Sequence, residues 1–328
     1  MEIQNPNMDP SLPKAISGKN DVICQFQGFW VLPIFLQGTK QVLEHFKPLP
    51  NDVILASFPK TGTTWLKALL YSITNRSSKN LLITTHPHEL VPSLELQVYA
   101  NSSPHFPTPT SSSTRIFSTH MPYQIIGEIL NSSDCRIVYV ARNPKDTLIS
   151  YWHFKNSMLL RKGDQPHPLE DFVSKFCEGT VLFGPYFDHV LGYRKEGLER
   201  PKKIFFITFE ELKNDTNTHV KRLAEFLGCP FEGEDREEQV EEVVRGCSID
   251  TLKSHEVNKS SDVPSWCMMP YNAFFRKGQV GDHANYLTKD MIERIDKLTR
   301  EKFHGSIFEE KTECSSDTRS SLTSNTAR

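Results

Sequence analysis

The stretch Phe58-Pro59-Lys60-Thr61-Gly62-Thr63-Thr64-Trp65 decides the fold. Ahead of it, Asp52 to Ser57 holds a short β-branched and apolar run, Val53-Ile54-Leu55, that reads as a buried strand. Behind it, Trp65, Leu66, Leu69, Leu70 and Ile73 recur at helical spacing. The segment is therefore strand, tight turn, helix. The first turn of such a helix offers unpaired backbone N–H groups and the positive end of its dipole, which together make an anion site. Lys60 adds a full positive charge, and Thr61, Thr63 and Thr64 add hydroxyl donors. This chemistry suits a phosphate group. The loop is not a Walker A sequence, which ends in Gly-Lys-Ser/Thr; here the lysine precedes a single glycine. On these residues alone, an ordinary turn before a capped helix stays open.

At 328 residues the chain can hold one large α/β domain or two small ones, with an ample core. A formal charge of -2 and a pI near 6.6 give no global basic field. Nonspecific nucleic-acid binding is disfavoured, and any anion site must be local. The most apolar early run, Phe29 to Leu36, is interrupted by Pro33 and too short to span a bilayer, and no basic region leads into an apolar core. The expectation is a cytoplasmic, unexported protein with no membrane partner. Seven cysteines (Cys24, Cys135, Cys177, Cys229, Cys247, Cys267, Cys314) form no C-x-x-C pair and read as reduced thiols. The 12 histidines show no metal-binding spacing.

Along the chain, residues 1–20 are polar and carry Pro6, Pro10 and Pro13, predicting a flexible N-terminal arm. Phe26-Gln27-Gly28-Phe29-Trp30 is an aromatic patch, for core packing or for an apolar ligand pocket. Gln37 to Phe46 reads as a helix, and residues 101–113, rich in Ser and Pro, as a loop. Further strands are predicted at Arg115 to Thr119, Cys135 to Ala141 and Lys203 to Phe209. The third leads through Arg142-Asn143-Pro144-Lys145-Asp146 into a helix, with Pro144 well placed at its start. The fourth leads into an amphipathic helix carrying Val220, Leu223, Phe226 and Leu227, stopped by Gly228. An acidic helix (Glu232 to Val244), a polar loop (Lys253 to Pro264), the stretch Phe274 to Asp282, a last helix (Lys289 to Phe303) and a disordered tail (residues 309–328) follow. Alternating strands and helices predict an α/β protein: one domain over residues 21–308 with a central parallel sheet flanked by helices. Ligands bind beyond the carboxyl ends of such strands, where Lys60, His120 and Arg142 converge.

Three stretches together resemble one family: Pro59 to Trp65, then Arg142 to Asp146 with Ser150, then Arg276-Lys277-Gly278 with Gly281-Asp282. From Phe26 to Phe303 the chain is similar to the cytosolic sulfotransferases, enzymes of P-loop NTPase-like fold. They move a sulfonate from 3′-phosphoadenosine 5′-phosphosulfate (PAPS) to a hydroxyl or amine. Gln27 to Trp30 and His88-Glu89-Leu90-Val91-Pro92 look like the plant branch. The resemblance implies that Lys60, Thr61, Gly62, Thr63, Thr64 and Trp65 wrap the 5′-phosphosulfate, with Trp65 against the adenine. It implies that Arg142 and Ser150 hold the 3′-phosphate with Arg276, Lys277 and Gly278, and that His120 is the general base. It implies too that Phe209 belongs to the donor site, at a position where the family commonly has Tyr.

The residues agree with that picture. A donor with two separated anionic ends would meet two cationic sites on a nearly neutral background. The acceptor oxygen must lose a proton, and histidine titrates near neutral pH. Lys60 can stabilise charge growing on the bridging oxygen, a role that needs no metal. The chain departs from family patterns at Phe209, at His283 (often Trp), at Ser118 (often Lys in animal members) and at Cys247 and Ile249 (often Thr and Phe). Phe29, Trp30, Tyr123 and Phe154 are candidate walls of an aromatic acceptor pocket, for a flavonoid, a brassinosteroid or other steroid, or a similar hydrophobic alcohol. Two other readings stay open: a nucleotide-bisphosphate-binding protein of weak or no activity, and an ATP-dependent kinase. The kinase lacks the Walker lysine position and a clear magnesium carboxylate after the second strand. No dimer motif is legible near the C-terminus.

Overall fold

The computed structural model describes residues 11–16, 22–76, 80–100, 104, 106 and 114–303. Its first sheet is antiparallel, with β1 (Lys14–Ile16), β2 (Val22–Phe26) and β3 (Phe29–Val31) paired in that order. Gln27 and Gly28 join β2 to β3 at φ of 49° and 86°, the left-handed two-residue turn that matches the twist of a hairpin. The aromatic patch is thus a hairpin. Within the arm predicted over residues 1–20, Lys14–Ile16 is a paired strand. The rest of that arm that falls in 1–10 and 17–20 lies outside the described residues, as do the tail at 309–328 and all of the 101–113 loop except Pro104 and Phe106.

Helix α1 (Pro33–His45) begins four residues earlier than predicted, because Pro33 is its first residue rather than an interruption. Then comes β4 (Val53–Ser57), entirely buried, and α2 (Thr63–Thr74). Two single turns, α3 (Leu81–Thr84) and α4 (Pro87–Leu90), and a π-helical turn (Leu94–Val98) lead to β5 (Ile116–Thr119) and α5 (Tyr123–Asn131). Strand β6 (Arg136–Ala141) feeds α6 (Pro144–Arg161), capped by the Asn143 side chain on the Lys145 amide. Helices α7 (Leu169–Cys177) and α8 (Tyr186–Glu199) precede β7 (Ile204–Thr208). Next are α9 (Phe209–Asn214), opened by a Thr208/Glu211 capping box, and α10 (Thr216–Phe226). Helix α11 (Arg236–Gly246) and α12 (Ile249–Ser254) follow, and the predicted polar loop from Lys253 takes in the end of α12 and all of α13 (Glu256–Lys259). Helix α14 (Lys289–Lys302) closes the described fold.

The central sheet is parallel in the order β5-β4-β6-β7. Alternate residues face opposite layers. Ile54, Ala56, Phe117, Ile137 and Tyr139 pack against α5, α6 and α8, whereas Val53, Leu55, Val138, Val140 and Ile207 pack against α2 and α10. Burial on both faces explains why these strands read as continuous apolar runs. All four strands end on the same edge, at Ser57, Thr119, Ala141 and Thr208.

Candidate active site

The turn after β4 is shaped by backbone geometry. Lys60 sits at φ 72° and Gly62 at φ 117°, both in the left-handed region. A side chain at Gly62 would bring a Cβ to 2.9 Å from Phe209 Cδ2, so the position needs glycine on two counts. Thr61 is fully buried, and its hydroxyl donates toward the Phe58 carbonyl at 2.8 Å and the Val140 carbonyl at 3.0 Å. Its side chain therefore ties the loop to β6 instead of facing a ligand. Ser57 Oγ and Thr63 Oγ1 are 2.7 Å apart, and the first bond of α2 runs from the Leu66 amide to the Gly62 carbonyl. The amides before Leu66 have no partner within the helix. Desolvation in the cleft, then repulsion from Arg276 and Arg142, pulls the Lys60 ammonium down to about 7. Its Nζ rests 4.0 Å above the ring of Phe154.

His120 follows β5. Its Nδ1 lies 2.7 Å from the Ser57 carbonyl, which can only accept, so Nδ1 carries the hydrogen and Nε2 keeps a free lone pair. The backbone amide of His120 donates to Glu95 Oε1 at 2.7 Å, and its carbonyl accepts from His189 Nε2 at 3.0 Å. His189 is fixed in turn by the Tyr139 hydroxyl, 2.9 Å from its Nδ1. Burial pushes His120 down to about 3, well below the near-neutral range expected from its residue type, so the ring is neutral at physiological pH. The ring of Phe183 lies 5.3 Å away.

A second group of cations faces them. Arg142, 5% exposed, donates from Nη2 to the Gln279 carbonyl at 2.6 Å. Arg276 and Lys277 share the Asp282 carboxylate at 2.6 and 2.7 Å. Asp146 accepts from the Gly281 amide (2.7 Å), the His283 amide (3.0 Å) and His283 Nδ1 (2.9 Å), tying this loop to the start of α6. Phe209 stands between the two cation groups, edge-on to Trp65 at 5.5 Å and 4.6 Å from the Arg142 guanidinium.

A cleft of about 270 Å³ brings these groups together. Lys60, Gly62, Thr63, Thr64, Trp65, His120, Arg142, Ser150, Phe154, Phe209, Arg276, Lys277 and Gly278 all line it. Three of the four predicted acceptor-pocket residues do not. Tyr123 is buried, its hydroxyl bonded to Asn131 at 2.9 Å and its ring packed on Tyr193, because the first turn of α5 turns it inward. Phe29 packs edge-on to His189, one layer behind His120. Trp30 pairs through its backbone with Phe183 and Gly184, so the hairpin supports the turn that carries Phe183 to the histidine. His88, Lys213, Thr216, Ser248 and Phe274 line the cleft without having been singled out for it. Ser248 carried a readable signal, since it caps α12 through its bond to the Thr251 amide. Among the described residues no three His, Cys, Asp or Glu cluster as metal ligands, and six cysteines are free. No helix among them is long and apolar enough to cross a membrane.

Comparison with known proteins gives the same picture at the level of class. Residues 50–307 match the family profile of the Sulfotransferase domain. Cytosolic sulfotransferase 6 of Arabidopsis thaliana is 43% identical over 306 residues, spanning 90% of this chain and 92% of its own length. Among solved structures, an Arabidopsis thaliana protein to which steroid sulphotransferase activity is ascribed aligns with TM-score 0.69 at 36% identity, covering 90% of this chain and 91% of that one. Mouse sulfotransferase SULT7A1, solved in complex with PAP, aligns with TM-score 0.65 at 25% identity over 87% of this chain and 95% of its own. The chain belongs to the sulfotransferase family, on its plant cytosolic branch. It is a transferase of that class, and its sheet and helices form the sulfotransferase fold.

Proposed function

We propose that this protein transfers a sulfonate from PAPS to a hydroxyl of a small hydrophobic acceptor, with His120 as general base. The observation that carries the reading is the tautomer of His120. A 2.7 Å bond to the Ser57 carbonyl leaves Nε2 free to take a proton, in the same cleft as Lys60. The cleft also holds polar atoms that a nucleotide would satisfy. Trp65 Nε1, Arg142 Nε and Arg276 Nε are buried without hydrogen-bond partners among the described residues. They fit a purine with phosphates at both ends, and PAP occupies the mouse relative.

When bound, PAPS supplies an activated sulfonate on a phosphate leaving group. The chain's residues do the rest. Lys60 and the first turn of α2 hold the 5′ end and offset charge growing there. Arg142, Ser150, Arg276, Lys277 and Gly278 hold the 3′-phosphate, while Trp65 and Phe209 flank the base. His120 Nε2 receives the acceptor's hydroxyl proton as its oxygen attacks sulfur. Phe154, Phe274 and His88 form the aromatic wall for the acceptor, and the steroid activity ascribed to the Arabidopsis neighbour favours a flat hydrophobic alcohol. The reaction is placed in the cytosol, as the relatives' names place theirs.

Labelled-sulfonate transfer from PAPS to pooled phenolics and steroids, with wild type beside His120→Ala, tests this. Transfer lost in the variant supports both reaction and base. PAP binding without transfer to any acceptor would favour a nucleotide-binding protein instead. Dependence on ATP and magnesium would mark a kinase.

A further inference from the structure

Lys67 lies one helical turn beyond Thr63 in α2 and is 1% exposed, on a helix that otherwise presents Leu66, Leu69, Leu70 and Ile73 to the core. A methionine would fill that space without the cost of burying an amine. The lysine is instead engaged: its Nζ is 3.0 Å from His88 Nδ1, and Glu95 and Glu89 supply opposing charge nearby. Burial pulls the Lys67 amine down to about 7, against the pull of Glu95 and Glu89; in its ammonium form it can only donate, so His88 Nδ1 then accepts and the ring hydrogen sits on Nε2. That nitrogen is 3.0 Å from Thr64 Oγ1, which accepts it. The Thr64 hydroxyl keeps its own hydrogen to give away, and Thr64 lines the cleft beside Lys60. The His88 ring cannot easily turn, since Trp266 stacks on it at 5.4 Å and Phe274 lies tilted against it at 4.4 Å.

We propose that Lys67 and His88 form a buried donor relay that aims the Thr64 hydroxyl at the anionic 5′ end of the donor, which makes Lys67 a positioning residue for sulfonate transfer. The proposal rests on the donor assignment above. Each link polarises the next, so the last hydroxyl is a stronger donor than an isolated threonine. Hydrogen bonds to charged groups contribute enough that losing this one weakens binding of a 5′ anion by about tenfold to hundredfold. A ligand lacking the 5′ group never meets the relay.

The test is calorimetric binding of PAP and of adenosine 3′-monophosphate to the full-length wild type, Lys67→Met, Thr64→Val and the double variant. Each single change should weaken PAP by about tenfold or more, leave adenosine 3′-monophosphate within about twofold, and add nothing to the other in the double variant. Imidazole ¹⁵N spectra of the wild type should show His88 protonated at Nε2, a signature that Lys67→Met should abolish. Equal PAP affinity in Lys67→Met, parallel loss of both nucleotides, or a wild-type His88 protonated at Nδ1 would overturn the relay while leaving the donor assignment standing. Wild-type protein that binds neither nucleotide overturns both. If Lys67→Met does not fold, Thr64→Val and the wild-type spectrum decide.

Discussion

Mild acid should unfold this protein through its histidines. Burial pushes His86 and His120 down to about 3 and His189 down to about 4, and lowers His88 well below its usual value. In the unfolded chain each titrates near 6.5. Below that pH the unfolded state binds protons that the folded state refuses, so stability present above pH 6.5 is lost as the pH falls toward the folded values. Between pH 7 and pH 5.5 each such group costs about 1.2 kcal/mol, and the three with stated values together about 4 kcal/mol. His88 adds in the same direction. Glu95 and Glu210 oppose the loss, because burial lifts both carboxyls and the folded state then protonates first. Against a domain stability of about 5 to 15 kcal/mol the remaining change is large. Urea unfolding at pH 7, 6.5, 6 and 5.5 measures it, with His120→Asn as the control that should lose its own share of about 1.2 kcal/mol. A flat wild-type profile together with an unchanged pH dependence in His120→Asn would refute the reasoning.

Three further outcomes are expected. His120→Ala should lower transfer by about 10²- to 10⁴-fold while keeping PAP affinity; a loss smaller than tenfold would remove His120 as the base. Gly62→Ala combines left-handed strain with a contact 2.9 Å from Phe209, and should cost about 1 to 3 kcal/mol in urea unfolding, so an unchanged midpoint would contradict the turn geometry. Lys60 is held near 7 in the free cleft, and an arriving anion raises it, so PAP binding at pH 8 should take up about one proton and weaken as the pH rises above 7. Calorimetry in buffers of different ionisation heat reads the uptake; none at pH 8, or the same uptake in Lys60→Arg, would count against it.

The four parallel strands were legible almost to the residue, because burial on both faces leaves a continuous apolar run that polar neighbours end sharply. The hairpin of β2 and β3 was not, since runs of five and three residues carry too little alternation to separate a strand from an aromatic patch. The residues after Lys253 read as loop because they are polar. Their turns are held by bonds of longer reach, such as Asn258 Nδ2 to the Leu252 carbonyl. Within the site, Lys60, His120 and Arg142 stood out because each closes a strand. The Lys67 and Glu95 contacts did not, since their partners lie 21 and 25 residues away. Thr61 shows the limit of local reading: its type says hydroxyl donor, and only the packing of β6 says that the donor points inward.

The net charge of -2 conceals how the cleft's field is built. Lys60, Arg142, Arg276 and Lys277 face one space, and in a desolvated cleft four cations would repel strongly. The fold offsets this by seating two nearly buried carboxylates behind them. Asp282 takes Arg276 and Lys277 together, and Asp146 lies 3.8 Å from Arg142 while holding the 281–283 backbone. Lys60 is the exception. No carboxylate among the described residues pairs with it, it rests on the ring of Phe154, and burial together with Arg276 pulls its ammonium down to about 7. The two ends of the cleft are therefore not equivalent. At the Arg142 end an anion shares cations already neutralised and fixed in direction, which favours specificity. At the Lys60 end it supplies the missing counter-charge itself, so the electrostatic gain on binding is concentrated beside His120, where the proposed chemistry takes place.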